Sequence, residues 1–290
     1  MDMTIKSRRA LLATALTAVV GSALAAQPPK PEPPRNLNVG PGNRAYRIFN
    51  SMIYAAMPNL QSLGMPRLLS TGSLWRPKVP HSQVDPEGIA DAVHALEGHT
   101  NDYYFDLEEW PLSNVAPEVV SANIDKLAQV AVIARRVQPR LKFGFYDMAP
   151  RGTYWPLVLN KTGDLQQWHE LNQRSSVIAA QVDYAFPSLY TFYDNLPEWE
   201  AAARGVLQNA RQYGKPVYPF LWPQYHDSNA ALKGTYVPPE FWRRQLETCR
   251  DHADGFVLWG GYKQRWDENA VWWQEVRQMA TEMRIQDASL

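Results

Sequence analysis

The sequence predicts an α/β fold, a distorted (β/α) TIM-like barrel closed by seven or eight parallel strands. Three observations predict it. From Asp85 onward, strand-like runs alternate with helix-length amphipathic runs at least five times, a pattern that places parallel strands beneath covering helices. No glycine-rich phosphate loop follows the first strand, which counts against an open nucleotide-binding sheet. Carboxylates, tyrosines and tryptophans gather at the C-terminal ends of several different strands, where a barrel builds its site.

The chain has three expected parts. Lys6, Arg8 and Arg9 precede an apolar run from Ala10 to Val20, and small residues follow to Ala26. Residues 1–26 therefore read as a cleavable signal peptide of bacterial type, with Sec and twin-arginine export both open. Residues 27–45 read as a tether, with five prolines between Gln27 and Arg35. Residues 46–290 read as one catalytic barrel domain. The expected location is the periplasm or the exterior, with no stable membrane insertion once the signal is cut. Cys249 is the only cysteine, so no intrachain disulfide is possible, and its amphipathic surroundings make it core filler. A formal net charge of zero gives no sign of a nucleic-acid partner.

Within the domain, Arg47–Asn50 and Arg67–Thr71 are the first expected strands. A helix over 86–96 begins with Pro86 in its first turn. The strand Tyr103–Asp106, the helix 119–137 and the strand Leu141–Tyr146 follow. A helix over 165–180 leads to the strand Tyr184–Leu189, and the helix 196–213 leads to the strand Pro216–Leu221. The helix 239–252, the strand Gly255–Trp259 and a helix over 270–283 close the chain. Pro187 is unwelcome in a central strand, so the strand carrying it is expected to end or deform there.

The run Asp106-Leu107-Glu108-Glu109-Trp110-Pro111 stands at the exit of an aromatic strand. Residues i and i+2 of an extended segment share a face, about 7 Å apart at the backbone. Asp106 and Glu108 are thus candidates for one acid pair, while Glu109 points away. Other strand ends offer Tyr146 and Asp147, then Tyr190 with Tyr193 and Asp194 further out. The last two offer Tyr218 and Trp222, and Trp259, with Trp266 and Asp267 beyond. With 11 Trp, 14 Tyr and 9 Phe, the chain is rich in flat apolar faces that suit sugar rings and cores alike. His226 beside Asp227 is a conceivable base; His169 belongs to a helix. The scattered histidines offer no metal-ligand spacing, and no Gly-x-Ser-x-Gly elbow occurs. No metal and no cofactor is expected.

The run Asp106-Leu107-Glu108-Glu109-Trp110 resembles the acid motif of the hyaluronidase family of glycoside hydrolases. Three later runs resemble that family's strand ends in the same order: Gly144-Phe145-Tyr146, Phe186-Pro187-Ser188-Leu189-Tyr190 and Val257-Leu258-Trp259-Gly260. The resemblance implies a barrel of seven strands with Glu108 as proton donor and Asp106 orienting the substrate's acetamido group. Tyr190 would hydrogen-bond that group, Trp259 would help enclose it, and Tyr146 would line the cleft. The family's cysteines are missing, and no basic run marks the cleft. The implied activity is therefore that of a remote relative cleaving a polysaccharide or oligosaccharide that contains N-acetylhexosamine, with retention assisted by the substrate. Two alternatives stand beside it: a conventional glycosidase on a non-acetylated glycan with a further acid such as Asp147, and a carbohydrate-binding barrel without catalysis.

Overall fold

Strands β1 (Arg47–Asn50), β2 (Leu69–Ser70), β3 (Asp102–Phe105), β4 (Lys142–Phe145), β5 (Phe220–Leu221) and β6 (Gly255–Leu258) each run parallel to their neighbours. They belong to a computed structural model that describes residues 44–287, with side chains described to Met283. The signal expected at 1–26, and all but the last two residues of the tether expected at 27–45, lie outside the described residues. No described helix is long and apolar enough to cross a membrane.

The expected barrel is not what forms. Among the described residues the strands make two separate three-stranded sheets, ordered β1-β6-β5 and β2-β3-β4, and no sheet closes into a barrel. The sequence explains the shortfall. The run 184–189, expected as a strand, carries Pro187 and makes only isolated bridges, Tyr146 with Phe186, Ala185 with Val217 and Ser188 with Phe220. The run Pro216–Leu221 is reduced to the two residues of β5. Prolines 187, 216 and 219 have no N–H to donate to a ladder, though each still accepts through its carbonyl, from Phe220, Ala185 and Val257 respectively.

Helices cover the sheets: α1 (Pro86–His94), α2 (Pro117–Val137), α3 (Trp155–Leu159), α4 (Thr162–Arg174), α5 (Ser176–Gln181), α6 (Leu196–Arg211), α7 (Pro239–His252) and α8 (Val271–Asp287). The single helix expected over 165–180 is broken at Ser175, whose hydroxyl donates to the Leu171 carbonyl at 3.0 Å, a local bond that competes with helix continuation. Helix α3 lies between β4 and the helix expected over 165–180, where no helix was expected. Cys249 is fully buried, as expected of filler.

Three apolar clusters organise the interior. One packs α1, α2 and α5 on the outer face of β2-β3-β4, with Leu127, Val130 and Phe143 fully covered. A second packs α6, α7 and α8 on the outer face of β1-β6-β5. The third is mostly aromatic and links the inner faces: Phe49 meets Tyr218 with ring centres 5.1 Å apart, and Tyr104 meets Phe220 at 4.9 Å. Alternation along β3 sorts these roles. Tyr103 and Phe105 face the helices, while Tyr104 faces inward, as the two-residue period of a strand requires. At the opposite edge from the strand exits, Arg47 of β1 donates to Asp102 of β3 at 3.0 Å, and the Tyr184 hydroxyl donates to the same carboxylate.

Candidate active site

The phase set by β3 continues past its end. Leu107 follows Phe105 into the helix-facing cluster and is buried. Asp106 and Glu108 follow Tyr104 inward, and all three line one lobe of a cleft at the C-terminal edge of the strands. Trp110 pins the turn from behind: its indole N–H donates to the His81 carbonyl at 2.7 Å, and its ring meets Trp75 edge-on at 5.5 Å. Glu109 points away from the cleft, with Oε1 3.8 Å from His81 Nδ1. Asp106 and Glu108 thus line the same lobe, while Glu109 is not part of its lining.

This near lobe has a volume of about 240 Å³, and apart from Asp227 its other walls are aromatic rings. Trp222 and Trp259 meet edge-to-face at 4.8 Å, and Tyr190 lies 5.7 Å from Trp259 and 5.8 Å from Tyr146. The Asp106 side chain is exposed at the opening, with protein packed around the rest of it. That burial, together with the like charges of Glu108 and Glu109, lifts its carboxyl to about 6.

A far lobe of about 550 Å³ continues from the first, sharing Glu108, Tyr146, Tyr190 and His226 with it. Asp147 lines this lobe, but its carboxylate is spoken for. Oδ2 accepts from Arg151 at 2.7 Å, and Oδ1 accepts from the backbone N–H groups of Gly152 and Ser188 at 2.9 and 3.0 Å. Burial raises its carboxyl while these donors oppose the rise. Asp147 therefore fastens the loop after β4 to the 184–189 run. Ser188 in turn accepts from the Tyr146 hydroxyl at 3.1 Å.

The fold keeps Tyr218 from the cleft: it is buried in the aromatic cluster beneath, against Phe49 and Tyr184. Tyr193 lines the far lobe, while Asp194 accepts from the Tyr225 hydroxyl at 2.6 Å. Trp266 packs against Tyr54 and Trp273, and neither it nor Asp267 lines the cleft. His226 borders both lobes. Its Nδ1 accepts the Ser228 backbone N–H at 3.1 Å, which leaves the proton of the neutral ring on Nε2. Burial lowers its pKa, against the opposing pull of Asp227 and Glu108.

Tyr104 and Arg151 were not singled out from the sequence. Tyr104 was legible, because it stands two residues before Asp106 in the same phase. Arg151 was not, since its ion pair depends on the left-handed backbone of Asp147, at φ 51°. Among the described residues Arg151 is the only lysine or arginine lining either lobe, and it is paired with Asp147. Among the described residues no group of histidines, cysteines and carboxylates could hold a metal ion.

No family model matches the chain, and no curated protein matches it in sequence. Solved structures do. A bee venom hyaluronidase is 13% identical with a TM-score of 0.56, over 83% of this chain and 96% of that one. The bee venom enzyme in complex with a hyaluronic acid tetramer is 13% identical with a TM-score of 0.55, over 84% and 98%. At that identity the likeness is one of fold alone: the chain is folded like the bee venom enzyme, without being placed in its family.

Proposed function

We propose that the protein is a glycoside hydrolase that cleaves beside an N-acetylhexosamine with retention of configuration, using the substrate's own acetamide as nucleophile. The observation that carries this reading is that Asp106 and Glu108, just past the end of one strand, both line a single, mostly aromatic lobe. Two acids leaving one strand on one face are poorly placed to flank an anomeric carbon from opposite sides, as the two-carboxylate mechanisms require. They suit a different division of labour. Glu108 protonates the glycosidic oxygen as the C1–O bond breaks, and the acetamide oxygen closes onto C1. Asp106, as carboxylate, accepts the acetamide N–H and stabilises the positive charge of the resulting oxazolinium ring. Glu108, now a carboxylate, then takes a proton from water as that water attacks C1 and reopens the ring.

The aromatic walls of Trp222, Trp259 and Tyr190 suit the acetamido sugar. Among the described residues the one lysine or arginine in the lining, Arg151, is paired with Asp147, which supports an uncharged glycan over a polyanion such as hyaluronan. Of the alternatives, a conventional glycosidase through Asp147 is disfavoured, because three donors already hold that carboxylate. Asp227, which lines the near lobe and is exposed, is the free acid that a conventional mechanism would recruit.

Proton NMR of the first-formed product, run on matched substrates with and without the 2-acetamido group, tests the reading. The expected result is a retained anomer from the acetylated substrate and loss of turnover on the other. An inverted product, or equal cleavage of the deacetylated substrate, would exclude substrate assistance. Equal cleavage abolished by Asp227→Asn would point to the conventional route.

The pH profile is a second test. Asp106 and Glu108 together must carry one proton before the leaving oxygen can be protonated. With the Asp106 carboxyl at about 6, the pair holds that proton below pH 6 and loses it above. Substrate binding moves it to Glu108, because an acetamide N–H donated to Asp106 favours the carboxylate there. The ratio kcat/KM is expected to fall about tenfold per pH unit above that point. Glu109→Gln removes a like charge, lowers the Asp106 carboxyl and shifts the falling limb to lower pH. A limb unmoved by E109Q would refute the assignment.

A further inference from the structure

The far lobe carries a rigid aromatic surface that the proposed bond cleavage does not use. Trp155 opens α3 and is 45% exposed, and Tyr193 beside it is 39% exposed. A single exposed ring is ordinary, but two in contact form a contiguous exposed aromatic surface of the kind that marks a binding site. Both are held in place. The Trp155 indole N–H donates to the Tyr193 hydroxyl at 3.1 Å, and the two rings lie 4.8 Å apart. Tyr154 packs against both and donates its hydroxyl to Glu198 of α6 at 3.1 Å. Helix α3 itself rests on α6 where Gly205 leaves room for Leu157; a β-carbon there would lie 2.4 Å from Leu157 Cδ2. The surface is thus preorganised, so little entropy is lost when a ligand covers it.

Its position relative to Glu108 gives it a role. Glu108 borders both lobes, with the aromatic near lobe on one side and the Trp155 surface on the other. A group that protonates the leaving oxygen stands between the unit being cleaved and the unit that departs. We propose that the far lobe is the leaving-group subsite, binding uncharged hexopyranose units of the same glycan on the faces of Trp155 and Tyr193, and so selecting longer chains. The proposal rests on the glycosidase reading above. A volume of about 550 Å³ falls within the ~300–1,000 Å³ of ligand pockets. Among the described residues the one lysine or arginine in the lining, Arg151, is paired with Asp147, so it offers an anionic sugar no unpaired charge.

The test measures affinity for uncharged N-acetylhexosamine oligosaccharides of two to six units, by calorimetry in the Glu108→Gln background, where the ligand is not consumed. The turnover of the same oligosaccharides is followed in the protein that keeps Glu108. Affinity is expected to rise about tenfold or more with length, as one well-packed tryptophan face typically contributes. Trp155→Ala should flatten that rise, and Tyr193→Ala should do so in part. Tyr262→Ala, which removes an exposed ring outside the cleft lining, should leave the length dependence unchanged. Hyaluronan oligosaccharides of equal length should show no rise. If the oligosaccharides bind or are cleaved with the same length dependence in W155A, the subsite is refuted and the glycosidase reading stands. If none of them binds or is cleaved at any length, both fall together.

Discussion

Glu108→Gln is expected to abolish turnover while leaving the fold as it is. Glutamine keeps the shape of the side chain but has no proton to give to a leaving oxygen. General-acid catalysis by one positioned group is worth about 10²–10⁴ in rate, and in the proposed cycle the same residue also activates the water, so the loss should sit at or above the upper end. The variant should fold because the turn is held by neighbours: buried Leu107 and Trp110 anchor it, and the Glu108 side chain is exposed to the cleft. A surface change of this kind usually alters stability by no more than about 0.5 kcal/mol. Steady-state turnover on any cleaved glycan, paired with a thermal melt, checks both halves. Near-normal turnover in E108Q would remove Glu108 from the chemistry. Lost turnover with a lowered melting temperature would show that the residue supports structure instead. Glu109→Gln is the built-in comparison, because that side chain leaves the same turn toward His81 and should affect the pH profile without ending turnover.

The acid pair was legible in the sequence because it depends only on local geometry. Once Tyr103 to Phe105 forms a strand, the two-residue period fixes that Leu107 goes to the core and that Asp106 and Glu108 go to the cleft. The tryptophans after β5 and β6, and the tyrosines after β4 and within the 184–189 run, were legible for the same reason: parallel strands deliver their exits to one edge. Closure was not legible, since alternation of strands and helices says nothing about whether neighbouring ladders are continuous. Pro187 gave a warning, and Pro216 and Pro219 complete the interruption. Tyr218 shows the other limit. It alternates with Phe220 and Trp222, yet it lies too deep in its run to reach the cleft, a question of register that only long-range pairing decides. The clamp on Asp147 lies still further from the sequence, because its donors come from Arg151, Gly152 and Ser188, up to 41 residues away.

Among the described glycines, Gly255→Ala is expected to be the most damaging change, and the reason lies at the edge opposite the cleft. Gly255 opens β6 with φ +150°, and a β-carbon built there would stand 1.8 Å from the Arg47 carbonyl oxygen and 2.7 Å from its carbon. Those atoms are backbone of β1, paired in register with Gly255 itself, so no side-chain rotation can make room. The strand would have to move. Arg47 cannot follow freely, because its guanidinium is bonded to Asp102 of β3, which also takes the Tyr184 hydroxyl. Displacing β1 from β6 therefore pulls on the contact that ties the two sheets together at their base. Clashes and strain of this kind exceed about 4 kcal/mol, a large share of the ~5–15 kcal/mol that holds a typical domain folded. In a domain of this size the melting temperature should fall by about 8–16 °C. Gly72→Ala is the control, since nothing lies within 4 Å of a β-carbon there, and it should melt close to the unaltered protein. A G255A melt indistinguishable from that control would mean that β1 and β6 are not paired in this register. Trp259 would then lose its place in the cleft wall too, because β6 delivers it there one residue after the last paired position.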